Sequence, residues 1–116
     1  MLFIDGASAV NGKPPSPVDF IRDYYAEVAA RDYDASWSQL APEFQRGKAV
    51  SFDYYVGFWN ENDVEVGEVA VVRAGERDAT LHVDLRWNRS GPWLTDEFAL
   101  REEDGGWLIA AQKTLD

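Results

Sequence analysis

At Asp63 the hydrophobic period of this chain changes from near four to two, which restricts it to a fold with helices first and a sheet second. Upstream, Phe20, Ile21, Tyr24, Tyr25 and Val28 recur at helical spacing, with Arg22, Asp23, Glu27 and Arg31 between them. Ser16 followed by Pro17 is a helix start, a capping hydroxyl and then the residue tolerated at the first helical position. The pattern predicts an amphipathic helix over about 17–31. A second, short helix is expected from Asp34 as N-cap, carrying Trp37 and Leu40 and ended by Pro42. Ser51 opens a third, in which Phe52, Tyr55, Val56 and Trp59 share a face.

Beyond Asp63 the segments read as strands. Val64, Val66, Val69 and Val71 alternate with a slip at Gly67 that a bulge accounts for. Leu81, Val83, Leu85 and Trp87 alternate with His82, Asp84 and Arg86, and Leu94–Arg101 and Trp107–Lys113 follow. The turn-like connections at Gly75, Ser90-Gly91-Pro92 and Asp104-Gly105-Gly106 are short, so the strands are expected to run as an antiparallel meander. The fold class is therefore α+β, with the N-terminal helices packed against a curved antiparallel sheet. Residues 1–16, rich in Gly, Ser and Pro from Asp5 on, read as a flexible arm or linker, and residues 17–116 as a single domain. The apolar start Leu2-Phe3-Ile4 has no assigned role.

Composition closes several functional classes. A domain of 116 residues buries roughly two-thirds of its unfolded surface, enough for a core without staples. A net charge of −10 repels phosphate backbones and anionic lipid, so neither nucleic acid nor direct membrane contact is expected. With no cysteine and a single histidine, disulfides, thiolate nucleophiles and His-rich zinc sites are excluded. A hydrolytic triad would have to use His82, and no nucleophile elbow accompanies it. No metal and no cofactor are expected. Met1–Ile4 lacks the basic region and length of a signal peptide, so an anchor, if the parent protein has one, is expected outside this chain.

Four pieces of the chain resemble a known family. They are Phe20-Ile-Arg-Asp-Tyr24-Tyr25, Asp34-Ala-Ser-Trp37-Ser-Gln-Leu40-Ala-Pro42-Glu-Phe44-Gln45, Tyr55-Val-Gly-Phe58-Trp59 and Asp104-Gly105-Gly106-Trp107-Leu-Ile109. In order, over about residues 17–114, they look like the NTF2-like superfamily. They are most similar to actinobacterial extracytoplasmic domains of membrane-anchored proteins, including Ser/Thr kinases. The resemblance implies a cone, in which a bent sheet wraps the first helix and leaves a cavity at its open end. It also implies functional diversity, since some members are small enzymes of the SnoaL or ketosteroid isomerase type and many are non-catalytic binding domains.

Candidate site residues follow from the faces of the elements. Asp96 falls among Leu94, Phe98 and Leu100 on the inward face, where an unpartnered carboxylate costs several kcal/mol. The alternative is that it lies at a frayed strand start, in water. If the domain is an enzyme, Asp96 is the base and Tyr24 or Tyr25 the hydroxyl that steadies an oxyanion. Tyr25, Trp37, Tyr55, Trp59, Trp87, Asp96 and Phe98 are the candidate pocket residues, with core packing the competing role for the aromatic ones. His82, Asp84 and Arg86, on the outer face, are candidates for a homodimer interface. The expected function is a non-enzymatic domain of a larger, anchored protein that binds a small apolar or anionic ligand or another protein. A cofactor-independent isomerase, dehydratase or cyclase acting on an apolar substrate is the alternative.

Overall fold

The computed structural model describes residues 15–115, so the apolar start and most of the expected arm lie outside the described residues. The first helix, α1 (Pro17–Ala29), begins where expected. Ser16 accepts from the Asp19 N–H at 3.1 Å and Pro17 occupies the first turn. The helix ends two residues short of the expected boundary because Arg31 adopts a positive φ of 65°, which no helix continues. Next come α2 (Tyr33–Ser38), α3 (Pro42–Arg46) and α4 (Phe52–Glu61). Two expectations are corrected here. Asp32, not Asp34, caps α2, accepting from the Ala35 N–H at 3.4 Å. Pro42 does not merely stop a helix; it sits in the first turn of α3, where its missing N–H costs nothing. Ser51 caps α4 through the Tyr54 N–H, and Tyr55 and Trp59 are buried, whereas Val56 is only partly so.

The sheet is a four-stranded meander in the order β1 (Val64–Ala74), β2 (Asp78–Trp87), β3 (Leu94–Glu103), β4 (Gly106–Thr114), antiparallel throughout. The Gly67 slip is a register shift between Val66 and Val69. The Trp93 ring lies over that glycine, and a Cβ there would approach it to 2.9 Å. Two further irregularities, at Val71/Arg73 and Ala99/Leu100, have no mark in the sequence. The β3–β4 hairpin turns through Asp104 and Gly105, at φ 55° and 79°, the conformation that matches the right-handed twist of the strands.

The period-2 alternation sorts the sheet into two faces. Leu81, Val83, Leu85, Phe98, Leu100 and Ile109 are fully buried beneath Phe20, Ile21, Tyr24, Tyr25 and Val28 of α1. Burial of each such side chain contributes about 1.5–3 kcal/mol. The segment joining α2 to α3 is tied to β4, with Ala41 N–H donating to the Ile109 carbonyl and Ile109 N–H to the Gln39 carbonyl, each at 2.9 Å. That contact covers part of an otherwise open sheet edge. The Trp107 indole donates to the Pro15 carbonyl at 2.7 Å, which holds the entry to α1 against β4.

Candidate functional site

A cavity of about 350 Å³ opens between the helices and the inner face of β2, β3 and β4. The volume is at the small end of the range for ligand pockets. Of the pocket residues expected from sequence, Tyr25, Tyr55, Trp59, Trp87 and Asp96 line it. Trp37 and Phe98 do not. Trp37 packs edge-to-face on Phe52 and Tyr55, and Phe98 is fully buried behind the Tyr25 ring, 6.3 Å away. Both serve the core. Phe44, Ala49, Tyr54, Phe58, Gln112 and Thr114 line the cavity as well, together with Lys48, whose side chain is exposed at the rim.

The aromatic wall is continuous. Trp59 and Trp87 stack with centroids 5.6 Å apart and planes 15° from parallel. Phe58 meets Trp87 at 75° and Tyr25 meets Trp59 at 77°, so rings border the space in roughly perpendicular orientations. Tyr24 joins the lining, but its hydroxyl is engaged. It lies 2.9 Å from the Tyr55 hydroxyl, which donates to Ser36 Oγ at 2.8 Å. Burial, reinforced for Tyr24 by Tyr55, pushes the Tyr24 and Tyr55 phenols above their ordinary range. Burial raises Tyr25 as well, with the Asp96 charge adding to it, so Tyr25 holds its proton and remains a hydrogen-bond donor.

Asp96 is 5% exposed, which corrects the expectation of a solvated carboxylate at a frayed strand start. It is paired on β2 with Val83, inside the β2–β3 ladder, and on β4 with Thr114, the last residue of that strand. Gln112 Nε2 donates to its Oδ2 at 2.7 Å. That bond uses one of the roughly four acceptor positions of a carboxylate. Among the lining residues no Arg or His accompanies it.

The outer face is built differently. His82 Nε2 lies 3.1 Å from Glu97 Oε2, and Lys113 lies 3.6 Å from Glu97 Oε1. Asp84 accepts from the Thr95 hydroxyl at 2.7 Å, and Arg86 faces Glu65 at 3.6 Å while donating to the Arg89 carbonyl. All three interface candidates thus have partners within the face. His82, and after it Lys113, hold the Glu97 carboxyl below its ordinary range. Among the described residues no group of three or more His, Cys, Asp or Glu is arranged to hold a metal.

No protein-family model matches the chain. Among curated proteins, the serine/threonine-protein kinase PknA of Nostoc sp. is 28% identical over 78 residues, 63% of this chain and 14% of the kinase. The chain therefore corresponds to a small part of that relative's length. Two solved structures share the fold. A SEC-C motif containing protein from Rhodopseudomonas palustris superposes with a TM-score of 0.65 at 20% identity, covering 87% of this chain and 80% of that one. A protein from Sphaerobacter thermophilus gives 0.54 at 16% identity, covering 86% and 96%.

These neighbours correct the NTF2-like assignment, because these two are a SEC-C motif containing protein and the Sphaerobacter protein, not NTF2-like ones. The physical reason lies in the four pieces that carried the resemblance. They supply an amphipathic helix, an aromatic helix face and a Gly-Gly hairpin, which an open α+β meander needs for its own packing.

Proposed function

We propose that the chain is a non-enzymatic ligand-binding domain, the sensor or accessory part of a larger protein associated with a kinase. The observation that carries the binding role is the aromatic cavity with a buried carboxylate in its wall. Core packing alone explains neither an open space of about 350 Å³ nor a carboxylate kept inside it. The kinase association is supported by the match to PknA. The chain has neither the Gly-rich loop nor the His-Arg-Asp and Asp-Phe-Gly triplets of a kinase catalytic domain, so a shared segment would lie outside the phosphoryl-transfer machinery.

The test is a screen of the full chain against small apolar, anionic and cationic compounds, read by Trp fluorescence and by thermal shift. At least one class is expected to give a saturable signal that Ala49→Leu, which narrows the cavity, reduces. No saturable signal from any class, or binding indifferent to Ala49→Leu, sinks the reading.

A second reading, a small cofactor-independent enzyme, is favoured by one observation. Asp96 and the proton-bearing Tyr25 share the cavity wall, as a base and a hydrogen-bond donor would. Incorporation of deuterium from D2O into a bound compound, lost in Asp96→Asn, would support it. A ligand that binds and never exchanges protons leaves the domain a binder.

A further inference from the structure

Asp96 is a buried carboxylate whose one side-chain hydrogen bond among the described residues comes from a neutral amide. The cavity it lines is bordered by aromatic residues, and its sole cationic lining residue, Lys48, is exposed. Four carboxylates on the surface of the fold have ion pairs: Glu97 with His82 and Lys113, Glu65 with Arg86, and Glu43 and Glu103 with Arg101. Asp96 forms no ion pair among the described residues, and Lys48 is the one cation in its lining.

We infer that the cavity's ligand is a small organic cation, a tertiary or quaternary ammonium group with apolar substituents, seated on the aromatic wall with Asp96 as its counter-ion. This inference rests on the ligand-binding reading above and specifies its ligand. Trp59 and Trp87 stack on each other, and Tyr25 and Phe58 stand at 75–85° to that pair, so π-systems in two orientations border the space. A quaternary ammonium head is the kind of cation this arrangement suits, because it carries charge without N–H donors and loses little hydration on entry. Asp96 supplies the charge complement, and Gln112 holds the carboxylate in place by its Oδ2. The negative field of a chain of net charge −10 favours the approach of a cation and opposes that of an anion.

The experiment compares three probes of one shape by calorimetry at matched ionic strength: choline, its neutral carbon isostere 3,3-dimethylbutan-1-ol, and the anion 3,3-dimethylbutanoate. Choline is expected to bind at least about tenfold more tightly than the neutral isostere, and the anion not measurably. Asp96→Asn is expected to bring the ratio of choline to isostere affinity down to about one. Should Asp96→Asn not fold, Lys48→Glu, at the exposed rim, carries the same test: choline tightens by about two- to threefold at low salt and the isostere does not change. Equal affinity for choline and the isostere, preference for the anion, or choline binding indifferent to both substitutions overturns the inference. In any of those cases binding of the isostere or the anion leaves the ligand-binding reading standing. Failure of all three probes here overturns the cation inference; failure of the broader screen as well removes the ligand-binding reading too.

Discussion

Asp96 and Glu97 are consecutive on β3 and belong to opposite faces of the sheet, and their surroundings differ in kind. Glu97 is partly exposed, with His82 on one side and Lys113 on the other, and its carboxyl is held below the ordinary range by them. Asp96 is 5% exposed, lines a cavity together with aromatic residues, and takes its hydrogen bond from Gln112. The outer carboxylate is balanced by the chain and screened by water, so it contributes to solubility and little to stability. The inner one is buried, takes its hydrogen bond from a neutral amide and has no ion pair among the described residues, the features on which the proposed binding role rests. A period of two thus divides the sheet into an outer face with ion pairs and an inner face that carries the proposed site.

The contrast can be broken first at its structural base. Phe98, on the inner face and fully buried, is expected to cost about 3–5 kcal/mol when cut to Ala, measured by urea unfolding. A loss below about 1 kcal/mol would mean that the inner face packs loosely and the cavity is a packing defect. Gln112→Leu comes next. It removes the hydrogen bond to a buried carboxylate and is expected to cost about 1.5–3 kcal/mol, with further loss of ligand binding. If that variant unfolds like the parent, Asp96 does not depend on its amide partner.

Glu97→Gln is expected to have the smallest effect, a slight fall in melting temperature that shrinks in high salt. Because His82 and Lys113 depress the folded-state pKa of Glu97, its contribution is present above the ordinary carboxylate range. It is lost as the pH falls through the depressed value, so parent and variant should converge in acid. A gap that widens in acid would reverse the assignment.

The two faces were legible in the sequence to different depths. The alternation of Leu81, Val83 and Leu85 with His82, Asp84 and Arg86 placed each side chain on its observed face, and Ser16-Pro17 located the start of α1. The face on which Asp96 lies was also readable from the alternation, but not its burial or its partner. Gln112 reaches it diagonally across a ladder whose register shifts at Ala99/Leu100, and nothing in the residues marks that shift. Pro42 was ambiguous for a chemical reason, since proline suits the residue after one helix and the first turn of another. Trp37 and Phe98 had the right composition for a pocket wall, yet edge-to-face packing takes the first and the ring of Tyr25 covers the second. Lys48 and Ala49, which lead from α3 towards α4, reach the cavity only through tertiary folding, which no local pattern signals.

The central claim is that the inner face holds a ligand and the outer face does not, and a ¹H–¹⁵N NMR titration of the full chain with choline tests it most directly. The account predicts that the side-chain amide of Gln112 and the indole N–H signals of Trp59 and Trp87 move together and saturate, while the backbone amides of His82, Glu97 and Lys113 stay in place. Shifts confined to the outer-face amides, or none at all, would contradict it.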